Sequence, residues 1–155
     1  MARRALRTRA RTYRIAIEGF TPLVDLTFEL ANPAASGIHA EVTYHFIHGT
    51  ATYWTVQRNS SAATGGTSAA LTITPVDSQF PAATITGKSW SVAKTGGAAG
   101  NLSFGRLIAN SSGVPLPPPL QDAAPVTINP GEWLAFIASA ANAGSGYIEF
   151  TEKPL

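Results

Sequence analysis

The stretch that decides the fold is Val126-Thr-Ile-Asn-Pro-Gly-Glu-Trp-Leu-Ala-Phe-Ile-Ala-Ser-Ala-Ala-Asn-Ala-Gly-Ser-Gly-Tyr-Ile-Glu-Phe-Thr-Glu152. Residues 133–139 form an apolar run between an Asn-Pro-Gly turn signal and a loop of small residues. Residues 147–152 then alternate, with Tyr147, Glu149 and Thr151 on one side and Ile148, Phe150 and Glu152 on the other. This is the two-residue period of a β-strand. We therefore expect a closing β-hairpin whose aromatic rings carry much of the core.

The rest of the chain consists of short apolar or alternating segments separated by Gly, Pro, Ser and Asn. We expect strands at 13–17, 23–30, 38–50, 51–58, 71–76, 82–93 and 102–108, with 114–120, Val-Pro-Leu-Pro-Pro-Pro-Leu, as an extended crossover. No segment of ten or more residues has a helical period of 3.6. The pattern predicts an all-β, antiparallel β-sandwich, and eight to ten strands favour a jelly roll over a seven-stranded immunoglobulin type.

The charge is distributed unevenly along the chain. Residues 1–14 contain six arginines and no acid, namely Arg3, Arg4, Arg7, Arg9, Arg11 and Arg14. The remaining five basic and nine acidic residues give −4, and +6 with −4 makes the net charge of +2. We expect an extended, arginine-rich N-terminal arm over 1–14 and one jelly-roll domain over 15–155.

Three roles for the arm follow from its charge. It is a solvated tail, or it docks on an acidic protein surface because guanidinium groups pair with carboxylates in a bidentate manner. The third role is contact with nucleic acid through phosphate neutralisation. The arm lacks interleaved aromatic residues and the body has no basic face, so nucleic acid is the least favoured partner.

The composition restricts the class of protein. Charged residues make up only 13% of the chain and hydrophobic residues 45%. This charged fraction is about half the usual value for a soluble domain, which favours an oligomer over a monomer because subunit interfaces contain few charges. The absence of cysteine excludes disulfides, thiolate metal sites and thiol catalysis. The chain has no apolar run of about 18 residues and no apolar region after the first arginines, so we expect neither a membrane helix nor a secretory signal.

No pattern in the sequence indicates catalysis. The chain has no Gly-x-Ser-x-Gly elbow, no His-Glu-x-x-His helix and no clustered carboxylate pair. His39 and His45 share a strand face with Glu41, and His48 points the other way, so a metal site between subunits is an alternative to ordinary surface or interface histidines. The Gly65–Gly66 loop lacks the context of a phosphate loop. We expect no enzyme activity, no cofactor and no metal.

Several turn and strand signatures resemble a known group of proteins. They are residues 32–37, Asn-Pro-Ala-Ala-Ser-Gly; residues 65–67, Gly-Gly-Thr; Asp77-Ser78 with Pro81-Ala82-Ala83; and Asn129-Pro130-Gly131-Glu132 followed by Asn142 and residues 146–152. Together they look like virion proteins of tailed bacteriophages with a trimeric, TNF-like jelly roll. The resemblance implies a homotrimeric capsid decoration, or cement, protein on the virion surface, made in the host cytoplasm, whose partner is the major capsid protein.

Two other functions remain open from the residues. One is an attachment module of a phage tail, neck or spike that binds a host receptor or glycan, with Tyr53, Trp54 and Trp90 as rings that stack on sugars. The other is nucleic-acid packaging through the arm, which requires an affinity for DNA that falls steeply with salt.

Overall fold

The computed structural model describes residues 10–20, 28–49, 53–59, 61–92, 102–108, 125–138 and 144–155. Within these ranges it describes the backbone alone at 17–20, 44–49, 53–55, 102–108, 138 and 144–145. The described residues form eleven β-strands and no helix. The predicted crossover at 114–120 lies outside them.

The strands cover most of the described chain. Their bounds are β1 Arg11–Phe20, β2 Phe28–Ala31, β3 Ile38–Gly49, β4 Tyr53–Asn59, β5 Thr67–Ala70, β6 Thr74–Pro75, β7 Thr86–Val92, β8 Leu102–Ile108, β9 Val126–Ile128, β10 Trp133–Ala138 and β11 Gly144–Pro154. β3, β4, β7 and β8 lie where the sequence pattern predicts them. β1 is longer than predicted and begins at Arg11, inside the segment expected to be the arm.

The strands pair into two antiparallel sheets. The five-stranded sheet has the order β6-β1-β11-β3-β9, and the six-stranded sheet has the order β5-β7-β2-β10-β4-β8. Without β5, β6 and β7, the two sheets read β1-β11-β3-β9 and β2-β10-β4-β8. This alternation between the sheets along the chain is the winding of a jelly roll. The predicted all-β sandwich is therefore confirmed.

The segment between β4 and β8 adds a strand pair to one sheet and one short strand to the other. Here the prediction of a strand over 71–76 is right only for Thr74–Pro75, which form β6, and wrong for residues 71–73 and 76. β5 lies earlier and pairs with β7, while β6 pairs with β1 across the edge of the sandwich. Between them the chain turns from one sheet to the other, since Leu71 N donates to Gly87 O and Val76 N donates to Thr12 O. The apolar residues at 71 and 73 are core contacts of this crossing and not parts of one strand.

The predicted closing hairpin is also wrong. β10 lies between β2 and β4 in the six-stranded sheet, whereas β11 lies between β1 and β3 in the five-stranded sheet. The two strands therefore belong to opposite layers and are not hydrogen-bonded neighbours. Their apolar faces meet in the interior, where Phe136 and Phe150 belong to the same buried cluster. Each strand occupies a central position, which explains why this stretch is so apolar.

The core fills the space between the two sheets. Its largest fully buried side chains include Tyr13, Phe28, Phe136 and Phe150. The Tyr13 and Phe150 rings stack with centroids 5.4 Å apart. At one end, the turns that contain Gly37 and Gly131 both use a positive φ, at 66° and 80°. Glycine adopts this conformation without steric cost, so both predicted turn signals are confirmed.

Candidate functional site

The six arginines proposed for partner binding fall into two groups. Arg3, Arg4, Arg7 and Arg9 lie outside the described residues. Arg11 and Arg14 lie in β1, in register with Glu152 and Glu149 of β11. The segment available as a basic arm therefore ends before Arg11, and the last two arginines belong to the sheet.

Arg14 is paired with a residue of its own chain. Its Nη2 donates to Glu149 Oε2 at 2.8 Å, and its guanidinium carbon lies 4.6 Å from the centre of the Tyr147 ring. The hydrogen bond to Glu149 is the main cause that raises the pKa of Arg14 above its usual value. Arg14 therefore stays charged at every pH of interest, with its charge balanced locally.

The described part of the outer face of the five-stranded sheet is mainly polar, and its charged side chains pair with one another. Its described side chains on the three central strands are Thr12, Arg14, Ala16, His39, Glu41, Thr43, Tyr147, Glu149, Thr151 and Lys153. The second pair on this face joins Lys153 Nζ to Glu41 Oε1 at 2.6 Å, and the hydroxyls of Thr12 and Thr151 lie 3.1 Å apart. The two cations and two carboxylates of this set cancel. Such a face loses less solvation free energy on contact with another protein than one with isolated charges.

A cleft of about 430 Å³ opens at the end of the sandwich where β1 begins. It is lined by Arg11, Ser36, Gly37, Ile38, Thr84, Glu152 and Pro154. Arg11 and Glu152 are cross-strand neighbours on the inner side of the sheet, the side on which Tyr13 and Phe150 are buried. At this end of the sandwich, the inner side of the sheet therefore carries a pair of opposite charges, Arg11 and Glu152, instead of apolar side chains.

Glu152 is the most buried group of the cleft, with 3% of its surface exposed. Its Oε1 accepts hydrogen bonds from the backbone N–H groups of Thr84 and Ile85, at 2.6 and 2.9 Å. The nearby Tyr13 hydroxyl donates to the carbonyl oxygen of Pro81 at 3.2 Å. Burial, and then the negative charge of Glu152, raise the pKa of Tyr13 above 10.0, while Arg11 acts in the opposite direction. Both charges of the cleft therefore act on this hydroxyl.

A loop covers part of the outer face of the six-stranded sheet. The Ala63 N–H donates to Glu29 Oε2 at 3.0 Å, and Glu29 is 3% exposed. Trp90 Nε1 donates to the Gly65 carbonyl at 3.3 Å, and the Trp90 side chain packs with Ala63 and Ala135. Because Trp90 is only 4% exposed, its ring offers no face for stacking on a sugar. Tyr53 and Trp54 lie in β4, where the structure describes the backbone alone.

The histidines and other candidate ligands form no recognisable metal centre in the part that is described. His39 lies on the outer face of β3, and the side chains of His45 and His48 are outside the description. Among the described residues, no group of three or more His, Asp or Glu side chains is placed to hold a metal ion. None of the described segments forms a helix able to cross a membrane.

The sequence contained a signal for Glu152 that the prediction did not use. Glu152 falls on the same side of the alternating strand as Ile148 and Phe150, so an acid at this position had to be buried or at the rim of the core. Glu29 gives a different case, because it lies on the outer face of β2 and the loop at residue 63 covers it there. No local pattern in the sequence predicts that this loop buries Glu29.

Comparison with known proteins gives no relatives: no family model, no curated protein and no solved structure matches this chain.

Proposed function

We propose that this protein is a structural virion protein, a homotrimeric capsid decoration protein that binds and stabilises the lattice of the major capsid protein. The observation that carries the proposal is the outer face of the five-stranded sheet. There, Arg14 forms an ion pair with Glu149, and Lys153 forms one with Glu41, both within the same chain. A mainly polar face whose described charges cancel suits burial against a second subunit. The jelly-roll sandwich and the low content of charged residues agree with this use.

A decoration protein needs no catalytic site, because it acts through binding free energy. It binds the assembled shell and not the separated capsid subunits, and this difference in affinity stabilises the shell. A trimer presents three copies of each contact, so contacts that are weak singly bind tightly together. The arm of residues 1–9, with its four arginines, adds charged contacts to acidic protein surfaces.

The first test is the mass of the purified protein by light scattering, alone and with undecorated phage capsids. We expect a mass near three times 16.2 kDa and saturable binding to capsids. Since β1 begins at Arg11, deletion of residues 2–9 leaves the sheet intact and should lower capsid occupancy. A monomer that ignores capsids would refute the proposal and favour the tail, neck or spike module.

A matched pair of substitutions tests the proposed subunit face. Thr43 lies within the outer face of the five-stranded sheet, opposite Glu149 in register, whereas Thr67 is exposed on β5 of the other sheet. We expect Thr43→Lys to produce monomers and Thr67→Lys to leave the trimer unchanged. Equal masses for the two variants would contradict the assignment of this face.

A further inference from the structure

A second, smaller apolar cluster lies on the outer face of the six-stranded sheet, apart from the main core. It consists of Ala63, Trp90 and Ala135, with Ile137 packed against them. Trp90 and Ala135 are buried, although a side chain on the outer face of a sheet is in contact with water unless something covers it. Part of that cover is the connection between β4 and β5. We call its described residues 61–66, Ser-Ala-Ala-Thr-Gly-Gly, the strap.

The strap is held to the sheet mainly by polar contacts. The Ala63 N–H donates to the buried carboxylate of Glu29 at 3.0 Å, and Trp90 Nε1 donates to the Gly65 carbonyl at 3.3 Å. Thr64 adds an isolated β-bridge. Ala63 is the one buried residue of the strap, and it contributes a single methyl group. A segment that buries so little apolar surface has a lower local stability than the strands beside it.

The connection that contains the strap is longer than the distance it spans. β10, β2 and β7 lie between β4 and β5 in the sheet, so the connection crosses four strand spacings, roughly 19 Å at about 4.8 Å each. The eight residue steps from Asn59 to Thr67 reach at most roughly 26 Å at about 3.3 Å per step. The flanking strands keep their own partners, since β4 pairs with β10 and β5 with β7. The strap can therefore leave the face while both strands stay paired.

Two consecutive glycines set the backbone at the end of the strap next to β5. Gly65 and Gly66 both have a positive φ, at 73° and 67°. Glycine adopts this conformation without steric cost, whereas a residue with a Cβ is strained there. The closed position therefore depends on these two residues, and a strap released from the sheet is no longer bound to these angles.

We propose that the strap is a releasable cover, which opens as a unit while the sandwich stays folded. Opening separates the Ala63 N–H from Glu29 and exposes the indole ring of Trp90 beside Ala135. The outer face of the six-stranded sheet then presents an apolar patch next to a carboxylate, and in the closed state the strap itself occupies this patch. The cover requires neither a trimer nor a capsid, so its failure would leave the proposed function untouched.

Hydrogen exchange measured by NMR tests the opening in the wild-type protein. The Ala63 amide reports on the strap, and the amides of β10, a central strand, report on unfolding of the sandwich. We expect Ala63 to exchange at least about a hundredfold faster than the slowest β10 amides, at a rate that low urea leaves unchanged, because a local opening exposes little surface. Exchange of Ala63 at the β10 rate, with the same urea dependence, would refute the cover.

A matched pair of glycine substitutions tests which segment moves. Gly65→Ala strains the closed strap, whereas Gly37→Ala strains a distant turn with a similar φ of 66° and nothing within 4 Å of the added Cβ. The cost of a left-handed residue predicts that Gly65→Ala speeds exchange of the Ala63 amide about fivefold or more. Gly37→Ala should leave that rate within about twofold while it speeds exchange of the β10 amides, because it destabilises the whole fold and not the closed strap.

The indole N–H of Trp90 tests whether the strap opens as a unit. Because one opening breaks its hydrogen bond and that of Ala63, we expect Gly65→Ala to speed exchange of both N–H groups by the same factor. An indole N–H that does not respond, or a Gly37→Ala protein in which Ala63 exchange rises as much as in Gly65→Ala, would overturn the proposal. If Gly65→Ala does not fold, the exchange rates of the wild-type protein decide alone.

Discussion

The side-chain amide of Asn32 donates a hydrogen bond to the carbonyl oxygen of Ile128, 3.0 Å away, and so joins the end of β2 to an edge strand of the opposite sheet. The same amide nitrogen donates to the carbonyl oxygen of Ile38 at 2.9 Å. Asn32 is fully buried, and its backbone exchanges hydrogen bonds with the turn that contains Gly131. One side chain therefore holds together three segments at the corner of the sandwich.

We expect Asn32→Ala to lower the free energy of unfolding by about 2–3 kcal/mol, because it leaves two carbonyl oxygens without their donor in the interior. Urea denaturation measures this loss. Ser36→Ala is the control, since its hydroxyl makes two long hydrogen bonds, donating to the Ile38 carbonyl at 3.3 Å and accepting from the Ile38 N–H at 3.4 Å, and a change within about 0.5 kcal/mol is expected. A loss of similar size in both variants would show that Asn32 is not the joining group.

Gly87 is required for close packing and not for a turn. A Cβ at this position would lie 3.1 Å from side-chain carbons of both Leu30 and Leu71. We expect Gly87→Ala to destabilise the fold by about 1–3 kcal/mol through overpacking. In a double-mutant cycle, Leu71→Ala should cost less in the Gly87→Ala background than in the wild type, because it removes one clashing neighbour. Additive losses would contradict this cause.

The apolar run at residues 133–139 provides a test of how much the core contributes to stability. Phe136 is fully buried in β10, and we expect Phe136→Ala to cost about 3–5 kcal/mol. Leu155 is 76% exposed, and Leu155→Ala should change stability by less than about 0.5 kcal/mol. Guanidinium unfolding with a common slope for all three proteins is the measurement. A small loss at Phe136 would mean that the interior collapses around the missing ring.

Alternation in the sequence identifies the face of a strand but not its neighbours. It placed Ile148 and Phe150 on one side of the strand and Glu149 on the other, and the structure shows that the side of Ile148 and Phe150 is the buried one. It could not show that β10 and β11 lie in opposite sheets, because both a hairpin and a crossing between layers bury the same residues. The short strand at Thr67–Ala70 was not predicted, and its first two residues were assigned to a loop, since Thr-Ser-Ala-Ala has little intrinsic strand preference and gains its form by pairing with β7.

The candidate site was only partly predictable for the same reason. The excess of arginines near the amino terminus was visible in the sequence, but their division into sheet and arm depended on where β1 begins. Arg14 pairs with a carboxylate 135 positions away, and no local pattern encodes such a register. The charge of Glu152 on an inward position was readable. The N–H groups that hold it come from a distant segment and were not.

The last prediction concerns the alkaline stability of the fold. Burial and the negative charge of Glu152 hold the pKa of Tyr13 above 10.0 in the folded state. The unfolded chain therefore loses this proton at a lower pH than the folded one. The stability that the neutral hydroxyl contributes is fully present below pH 10 and is lost as the pH rises from 10 through the folded pKa.

Tyr13→Phe isolates this effect. At pH 7 we expect the variant to be about 1 kcal/mol less stable, since it loses the hydrogen bond to the Pro81 carbonyl. From pH 10 upward the wild type should lose stability more steeply than the variant, so the difference between them narrows. Urea denaturation of both proteins at pH 7, 9, 10 and 11 measures it, and the other tyrosines cancel in the comparison. Parallel curves over the whole range would mean that Tyr13 ionises alike in both states, and that Glu152 does not act on it.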